Sequence, residues 1–73
     1  MSALTDADRD VLYAYADNDM NVSKTARNIF MNRSCVDYHL LRVHQKTGLD
    51  PYRFHDLVEL MQRTVRPAKG VTE

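Results

Sequence analysis

Apolar residues recur along this chain with the three- and four-residue spacing that is typical of amphipathic α-helices. The first run lies over residues 6–17. Thr5 stands directly before it as an N-cap, and Asp8 follows three residues later, which completes a capping-box pair. The pattern therefore predicts a first helix over 6–17, and the apolar positions Leu4, Val11, Leu12 and Tyr15 in and just before it follow helical spacing.

Two further helices follow in the middle of the chain, each after an asparagine that suits the N-cap position. Asn21 begins a short helix predicted over 22–28, and Asn32 begins a longer one predicted over 33–46. Both predicted helices have an apolar stripe that faces inward. The stripe of the second helix is Val22, Ala26 and Ile29, and that of the third is Val36, Leu40 and Val43.

A fourth helix is predicted after the stop at Gly48, where a left-handed residue ends the third helix. Asp50 is its expected N-cap and Pro51 its first residue, and it continues to about Thr64. The tail over 67–73 is expected to be disordered. Because no alternating β pattern occurs, the fold class is all-α: a small four-helix domain over residues 1–66.

The second and third predicted helices have the arrangement of a helix-turn-helix. A small residue, Ala26, stands at the centre of the second helix, where the two helices must cross closely. A break of three or four residues follows, and the third helix then presents Arg33, Ser34, Tyr38 and Arg42 on outward positions. In DNA-binding proteins of this type the second helix of the motif enters the major groove.

Charge is distributed unevenly, although the net charge of the whole chain is zero. Residues 1–20 hold five Asp against one Arg, and residues 21–48 hold five basic residues against one Asp. The positive charge therefore coincides with the helix-turn-helix, as contact with phosphates requires. The alternative is that these charges only form a solvated face.

Several other functions are not expected from this sequence. The single cysteine, Cys35, excludes an internal disulfide, and no signal or membrane-spanning pattern occurs, so a cytoplasmic protein is predicted. Cys35 and His39 lie one helical turn apart, but with His44 and the distant His55 they are interpreted as packing or surface residues, and no metal site is predicted. No cofactor motif or catalytic constellation is present, and no enzyme is predicted.

In these residues the chain resembles the C-terminal helix-turn-helix of PucR-type bacterial regulators, which is itself related to the Fis-type DNA-binding domain. The resemblance covers roughly residues 11–61 and is carried by three stretches: 21–27, 32–34, and 40–50 with its Thr-Gly-Leu-Asp ending. It implies that the third helix is the recognition helix. It also implies that Asn32 and Arg33 contact DNA, as the corresponding Asn-Arg pair does in Fis-type domains.

Three departures from the family pattern stand out. Asp37 and Tyr38 occupy positions that are often basic in relatives, which affects phosphate binding or sequence preference. Phe30 occupies the turn position where many helix-turn-helix motifs have glycine, so a different or strained turn is expected. PucR-type regulators are usually long proteins with sensor domains, for which 73 residues leave no room.

The predicted DNA contacts are of three kinds: a residue that reads a base, phosphate contacts that include Lys46, and side chains at i, i+4 and i+8 that line one wall of the groove, namely Ser34, Tyr38 and Arg42. Arg33 is the strongest candidate for reading a base edge, because its planar fork can pair with two acceptors of guanine. The first turn of the second helix has free backbone N–H groups that suit a phosphate. The full predicted set is Ser23, Lys24, Thr25, Asn32, Arg33, Ser34, Tyr38, Arg42 and Lys46.

Two functions are kept open. The first is a sequence-specific protein that binds double-stranded DNA, a small transcriptional regulator. The second is a protein-interaction module that retains the helix-turn-helix architecture, which the zero net charge and Asp37 favour. A homodimer is a further hypothesis, and the simpler alternative is that the first and fourth helices wrap a small core. The dimer candidates are Tyr13, Leu57, Val58, Leu60 and Met61.

Overall fold

The computed structural model describes residues 4–64, and this part of the chain forms four α-helices and no strand. The helices are α1 (Asp6–Asp17), α2 (Val22–Asn28), α3 (Arg33–Thr47) and α4 (Phe54–Arg63). The all-α fold predicted from the sequence is confirmed. The predicted domain limit at residue 66 and the predicted disordered tail over 67–73 lie outside the described residues.

The local signals at the helix ends agree with the structure except at the N-termini of α3 and α4. The Thr5 hydroxyl accepts a hydrogen bond from the Asp8 amide, and the Asp8 carboxylate accepts one from the Thr5 amide, which completes the capping box. Asn21 caps α2 by accepting from the Lys24 amide. Asn32 occupies the N-cap position of α3, but its side chain makes no cap hydrogen bond. Gly48 ends α3 with a φ of 78°, in the left-handed region.

The predicted start of α4 was wrong by three residues. The Asp50 side chain accepts from the Tyr52 amide, and the Asp50 carbonyl accepts from the Arg53 amide. These bonds close a turn with Pro51 at its second position, which is where proline favours a turn. Arg53 is therefore the N-cap of α4, and the helix begins at Phe54.

One core joins all four helices. The predicted inward residues of α1 and α3 are buried there, with Val11, Val36 and Val43 completely shielded from solvent. Ala26 of α2 is also buried, and Leu57 and Leu60 supply the contribution of α4. Each fully buried apolar side chain of this size contributes roughly 1.5–3 kcal/mol. Within the described residues, no helix is long and apolar enough to span a membrane.

The turn between α2 and α3 is strained at Phe30, as the sequence led us to expect. Phe30 has a φ of 57°, which is unfavourable for a residue with a bulky side chain. The next residue is anchored, since the Met31 amide donates to the Ala26 carbonyl over 2.9 Å and its side chain packs on the core. The side chain of Phe30 itself is 95% exposed.

Candidate nucleic-acid interface

Only part of the predicted site lies on the outward side of α3, which is the side opposite its core stripe. Val36, Leu40 and Val43 turn inward, so the opposite side of the helix faces solvent. Ser34 and Tyr38 lie on that opposite side and are exposed. Arg33 is also exposed, but it precedes Ser34 by one residue, which turns its side chain by about 100° around the helix. Arg33 therefore flanks this outward face at its N-terminal end instead of extending it.

Leu41 and Gln45 also belong to the outward face of α3, although the sequence interpretation left them out. Leu41 is 49% exposed, and Gln45 is exposed as well. Both follow from the helical period, because they stand three and seven residues after Tyr38. An apolar side chain on this face suits contact with a thymine methyl group or with another protein.

The predicted phosphate contacts on α2 do not all reach the surface. Ser23 and Lys24 are exposed, and the Lys24 ammonium lies 3.6 Å from the Asp19 carboxylate. Thr25 is completely buried, and its hydroxyl donates to the Asn21 carbonyl over 2.7 Å. The side chain of Thr25 therefore does not lie on a surface that could contact phosphate.

Arg42 and Lys46 are held by a carboxylate that sequence reasoning had assigned only to a helix cap. Asp8 of α1 is completely buried, and its Oδ1 lies 2.8 Å from His39 Nδ1 and 3.2 Å from Arg42 Nε. Its Oδ2 lies 3.5 Å from Lys46 Nζ. Part of the charge separation between residues 1–20 and 21–48 is therefore an internal pairing across the α1–α3 contact.

The environment of Asp8 keeps it ionised. Burial by itself raises the pKa of this carboxyl group, but hydrogen bonds from His39, from the Thr5 backbone and from Arg42 outweigh it. The pKa of Asp8 falls to about 2. Its bond to Asp8 also raises the pKa of Arg42. A signal for this cluster is present in the sequence: His39, Arg42 and Lys46 form a stripe beside the core stripe of α3, and its two positive charges call for an acidic partner on the helix packed against it.

Tyr38 and Arg42 form a contact of their own on the outward side. Arg42 Nη1 lies 3.5 Å from the Tyr38 hydroxyl, and the guanidinium carbon lies 5.7 Å from the centre of the Tyr38 ring. That distance is within the range of a cation–π interaction. The His39 ring meets the Tyr38 ring edge to face at 5.4 Å. Tyr38, His39 and Arg42 thus form one connected group around Asp8.

Asp37, which the sequence marked as an unfavourable charge for DNA, is directed away from the outward face. Its carboxylate accepts a hydrogen bond of 2.7 Å from the Tyr52 hydroxyl in the turn before α4. Burial and this hydrogen bond raise the pKa of Tyr52. The negative charge of Asp37 therefore lies on the flank of α3 that faces the α3–α4 turn.

The histidines and the cysteine are dispersed. His39 contacts Asp8, whereas His44 Nδ1 lies 3.1 Å from the Leu49 carbonyl oxygen. Cys35 is exposed. Over residues 4–64, no three His, Cys, Asp or Glu side chains come together as a set that could hold a metal ion.

Most of the residues predicted for a dimer contact are used inside the single chain. Leu57 and Leu60 are core residues. Tyr13 is also buried, and its hydroxyl donates to the Met61 carbonyl over 2.9 Å. Val58 remains on the surface, beside a groove of 390 Å³ between α1 and α4. The groove is lined by Ala16, Asp17, Asp19, Met20, Phe54, Leu57, Val58 and Met61.

Comparison with known families identifies the fold. The family model described as the PucR C-terminal helix-turn-helix domain matches residues 9–62, which include α2, α3, most of α1 and nearly all of α4. The chain therefore belongs to this family, as its resemblance had indicated. No curated protein and no solved structure matched the chain.

Proposed function

We propose that this member of the PucR C-terminal helix-turn-helix family is a sequence-specific DNA-binding protein, and that it acts as a small transcriptional regulator. The observation that carries the proposal is the outward face of α3, which is exposed and mainly polar and directly follows the turn of a helix-turn-helix. In this proposal α3 is the recognition helix and lies in the major groove of double-stranded DNA.

The roles of the individual residues follow from their positions. Arg33 begins α3 and reaches a base edge, supported by Asn32 and Ser34. Ser23 and Lys24 lie in the first turn of α2 and bind the phosphate backbone, which positions the protein without reading sequence. Tyr38 and Arg42 extend the contact along α3, and Lys46 adds positive charge at its C-terminal end.

The experiment begins with selection of bound duplexes from a random DNA pool, which returns the preferred site. Affinity for that duplex and for a scrambled duplex is then measured over a series of salt concentrations. Arg33→Ala should lose about 1–3 kcal/mol of discrimination between the two duplexes. Lys24→Ala is the control, because losing one phosphate contact should weaken both duplexes alike and reduce the salt slope by roughly one unit.

The results also separate this proposal from the second function. A protein-interaction module would bind neither duplex even at low salt, where the electrostatic attraction to DNA is strongest. If Arg33→Ala weakens both duplexes equally, Arg33 is only a phosphate contact and another residue reads the bases.

A homodimer is a separate part of the proposal. It is supported by two exposed apolar residues of α4, Phe54 and Val58, next to the α1–α4 groove. Binding of two copies to a two-fold symmetric site would double a small interface. Sedimentation equilibrium of the wild type and of Val58→Asp tests this part: a wild type that stays monomeric at high concentration would refute it.

A further inference from the structure

A buried carboxylate outside the proposed DNA-binding surface is connected to that surface by two links. Asp8 Oδ1 accepts from Arg42 Nε and contacts His39 Nδ1, and both partner side chains lie against Tyr38. Asp8 is completely buried, whereas Tyr38 is 56% exposed. The buried Asp8 carboxylate thus contacts His39 and Arg42, and these two side chains in turn contact the exposed Tyr38 of the recognition helix.

We propose that Asp8 is a positioning residue for DNA recognition, which holds Arg42 and Tyr38 in one arrangement so that they read a base edge as a preordered pair. This inference rests on the proposed function. It assigns Asp8, a residue of α1, to the specificity of a site on α3.

The geometry at Arg42 limits how its guanidinium can bind. The bond to Asp8 uses Nε at 3.2 Å, and the two terminal nitrogens are not part of it. A ligand can then bind only at the end of the guanidinium, where Nη1 and Nη2 each direct one N–H outward. These two parallel N–H groups match the O6 and N7 acceptors of guanine. The side-on mode, which needs Nε, is excluded while Asp8 holds it.

Tyr38 completes the pair. Its hydroxyl accepts from Arg42 Nη1 at 3.5 Å, which leaves its own O–H to donate to an acceptor on DNA. The Tyr38 ring lies 5.7 Å from the guanidinium carbon of Arg42 and packs against the His39 ring. It therefore limits the rotamers that Arg42 and His39 can adopt. Long side chains lose rotamer freedom when they bind, and ordering them in the free protein removes that cost from the binding step.

Lys46 provides a matched comparison within the same cluster. It contacts the other carboxylate oxygen, Oδ2, at 3.5 Å, and the Tyr38 contacts described above do not involve it. Loss of Lys46 therefore removes positive charge near Asp8 without disturbing the Oδ1 partners. In the proposal it affects general affinity and not discrimination.

The test measures discrimination between the duplex selected from a random pool and a scrambled duplex. Arg42→Lys keeps the charge but lacks the fork, and discrimination should fall about tenfold or more. Asp8→Asn should lower discrimination by a similar factor, and the double variant should lose little beyond either single variant, because both changes disable the same pair. Lys46→Gln should weaken binding to both duplexes by the same factor.

A second measurement uses only the wild-type protein without DNA. In NMR spectra the Arg42 Nε–H proton should exchange with water more slowly than that of exposed Arg33, because Asp8 accepts its hydrogen bond. Equal exchange rates would overturn the proposal, whether or not Asp8→Asn folds.

The binding data contain two further decisive outcomes. If folded Asp8→Asn keeps wild-type discrimination, or if its effect simply adds to that of Arg42→Lys, Asp8 has only a structural role and the inference fails while the proposed function stands. If the wild type binds neither duplex at low salt, the proposed function itself is wrong, and this inference fails with it.

Discussion

The ionised carboxylate of Asp8 should make a measurable and pH-dependent contribution to the stability of the domain. Its pKa is lowered from 3.8 to about 2, which is a shift of nearly two units. One unit corresponds to about 1.4 kcal/mol, so the native environment favours the charged form by about 2 kcal/mol. Because the folded-state pKa is the lower one, this stability is present above about pH 4 and is lost as the pH falls towards 2.

Asp8→Asn isolates this charge. The asparagine side chain has nearly the same size and can still accept the capping hydrogen bond from the Thr5 amide. Removal of the charge leaves His39, Arg42 and Lys46 without their shared carboxylate, but their side chains are 19%, 30% and 24% exposed and are partly solvated. We therefore expect a loss of about 2–3 kcal/mol at pH 7, which is below the roughly 3–5 kcal/mol that breaking a fully buried pair costs.

The assay is thermal and urea unfolding followed by far-UV circular dichroism at pH 7, 4, 3 and 2. A loss of about 2 kcal/mol lowers the melting temperature of a domain of this size by roughly 8–16 °C. The quantity to follow is the difference between the wild type and the variant, because other carboxylates titrate in both proteins. This difference should be largest at pH 7 and should shrink towards zero near pH 2.

Asp6→Asn is the matched control, since Asp6 lies in the same first turn of α1 and its side chain is 92% exposed. Its pairing with Arg9 on the surface should contribute less than about 1 kcal/mol. A difference between wild type and Asp8→Asn that is the same at pH 7 and pH 2 would refute the ionic explanation. No difference at pH 7 would show that the contacts of Asp8 with His39, Arg42 and Lys46 contribute nothing to stability.

Three further predictions concern the backbone and the packing. Gly48→Val should lower the free energy of unfolding by about 1–2 kcal/mol through backbone strain alone, because φ is +78° and no atom lies within 4 Å of an added Cβ. Equal melting temperatures for the variant and the wild type would show that the position is not strained. Ala26→Leu should cost about 1–3 kcal/mol by overpacking the core at a residue that is 6% exposed, and a variant as stable as the wild type in urea would contradict this. Phe30→Gly should raise the stability by up to about 1 kcal/mol, since relief of left-handed strain exceeds the extra backbone entropy of glycine. A lower melting temperature for Phe30→Gly would show that this exposed ring makes stabilising contacts.

The sequence by itself determined the position of each helix whose ends carry local capping signals. Thr5 with Asp8, Asn21 and Gly48 act within one or two turns of the backbone, and the spacing of Val36, Leu40 and Val43 defines the inward side of α3. Such signals involve residues that are close in the sequence, so they can be read without knowing the fold. The family resemblance depended on the same short stretches and is confirmed over residues 9–62.

The start of α4 shows where local signals compete. Asp50 and Pro51 suit a helix N-terminus, but they suit a β-turn equally well. Asp50 uses its side chain for the Tyr52 amide, and its own amide donates to the Asp56 carboxylate across the turn. Whether Asp50 and Pro51 begin a helix or form a turn depends on the path of the chain from α3 to the point where Leu57 and Leu60 enter the core. No local sequence pattern determines that path.

Only the tertiary structure decided which charges of the predicted site are available and which are paired. Asp8 and Arg42 are 34 residues apart in the sequence, and their contact exists because α1 packs along α3. The packing of α2 into the domain buries Thr25, and the Tyr52 hydroxyl holds the Asp37 carboxylate towards the α3–α4 turn. Helical periodicity determines which side of a helix is polar, but the partner of a polar side chain depends on which helix lies beside it.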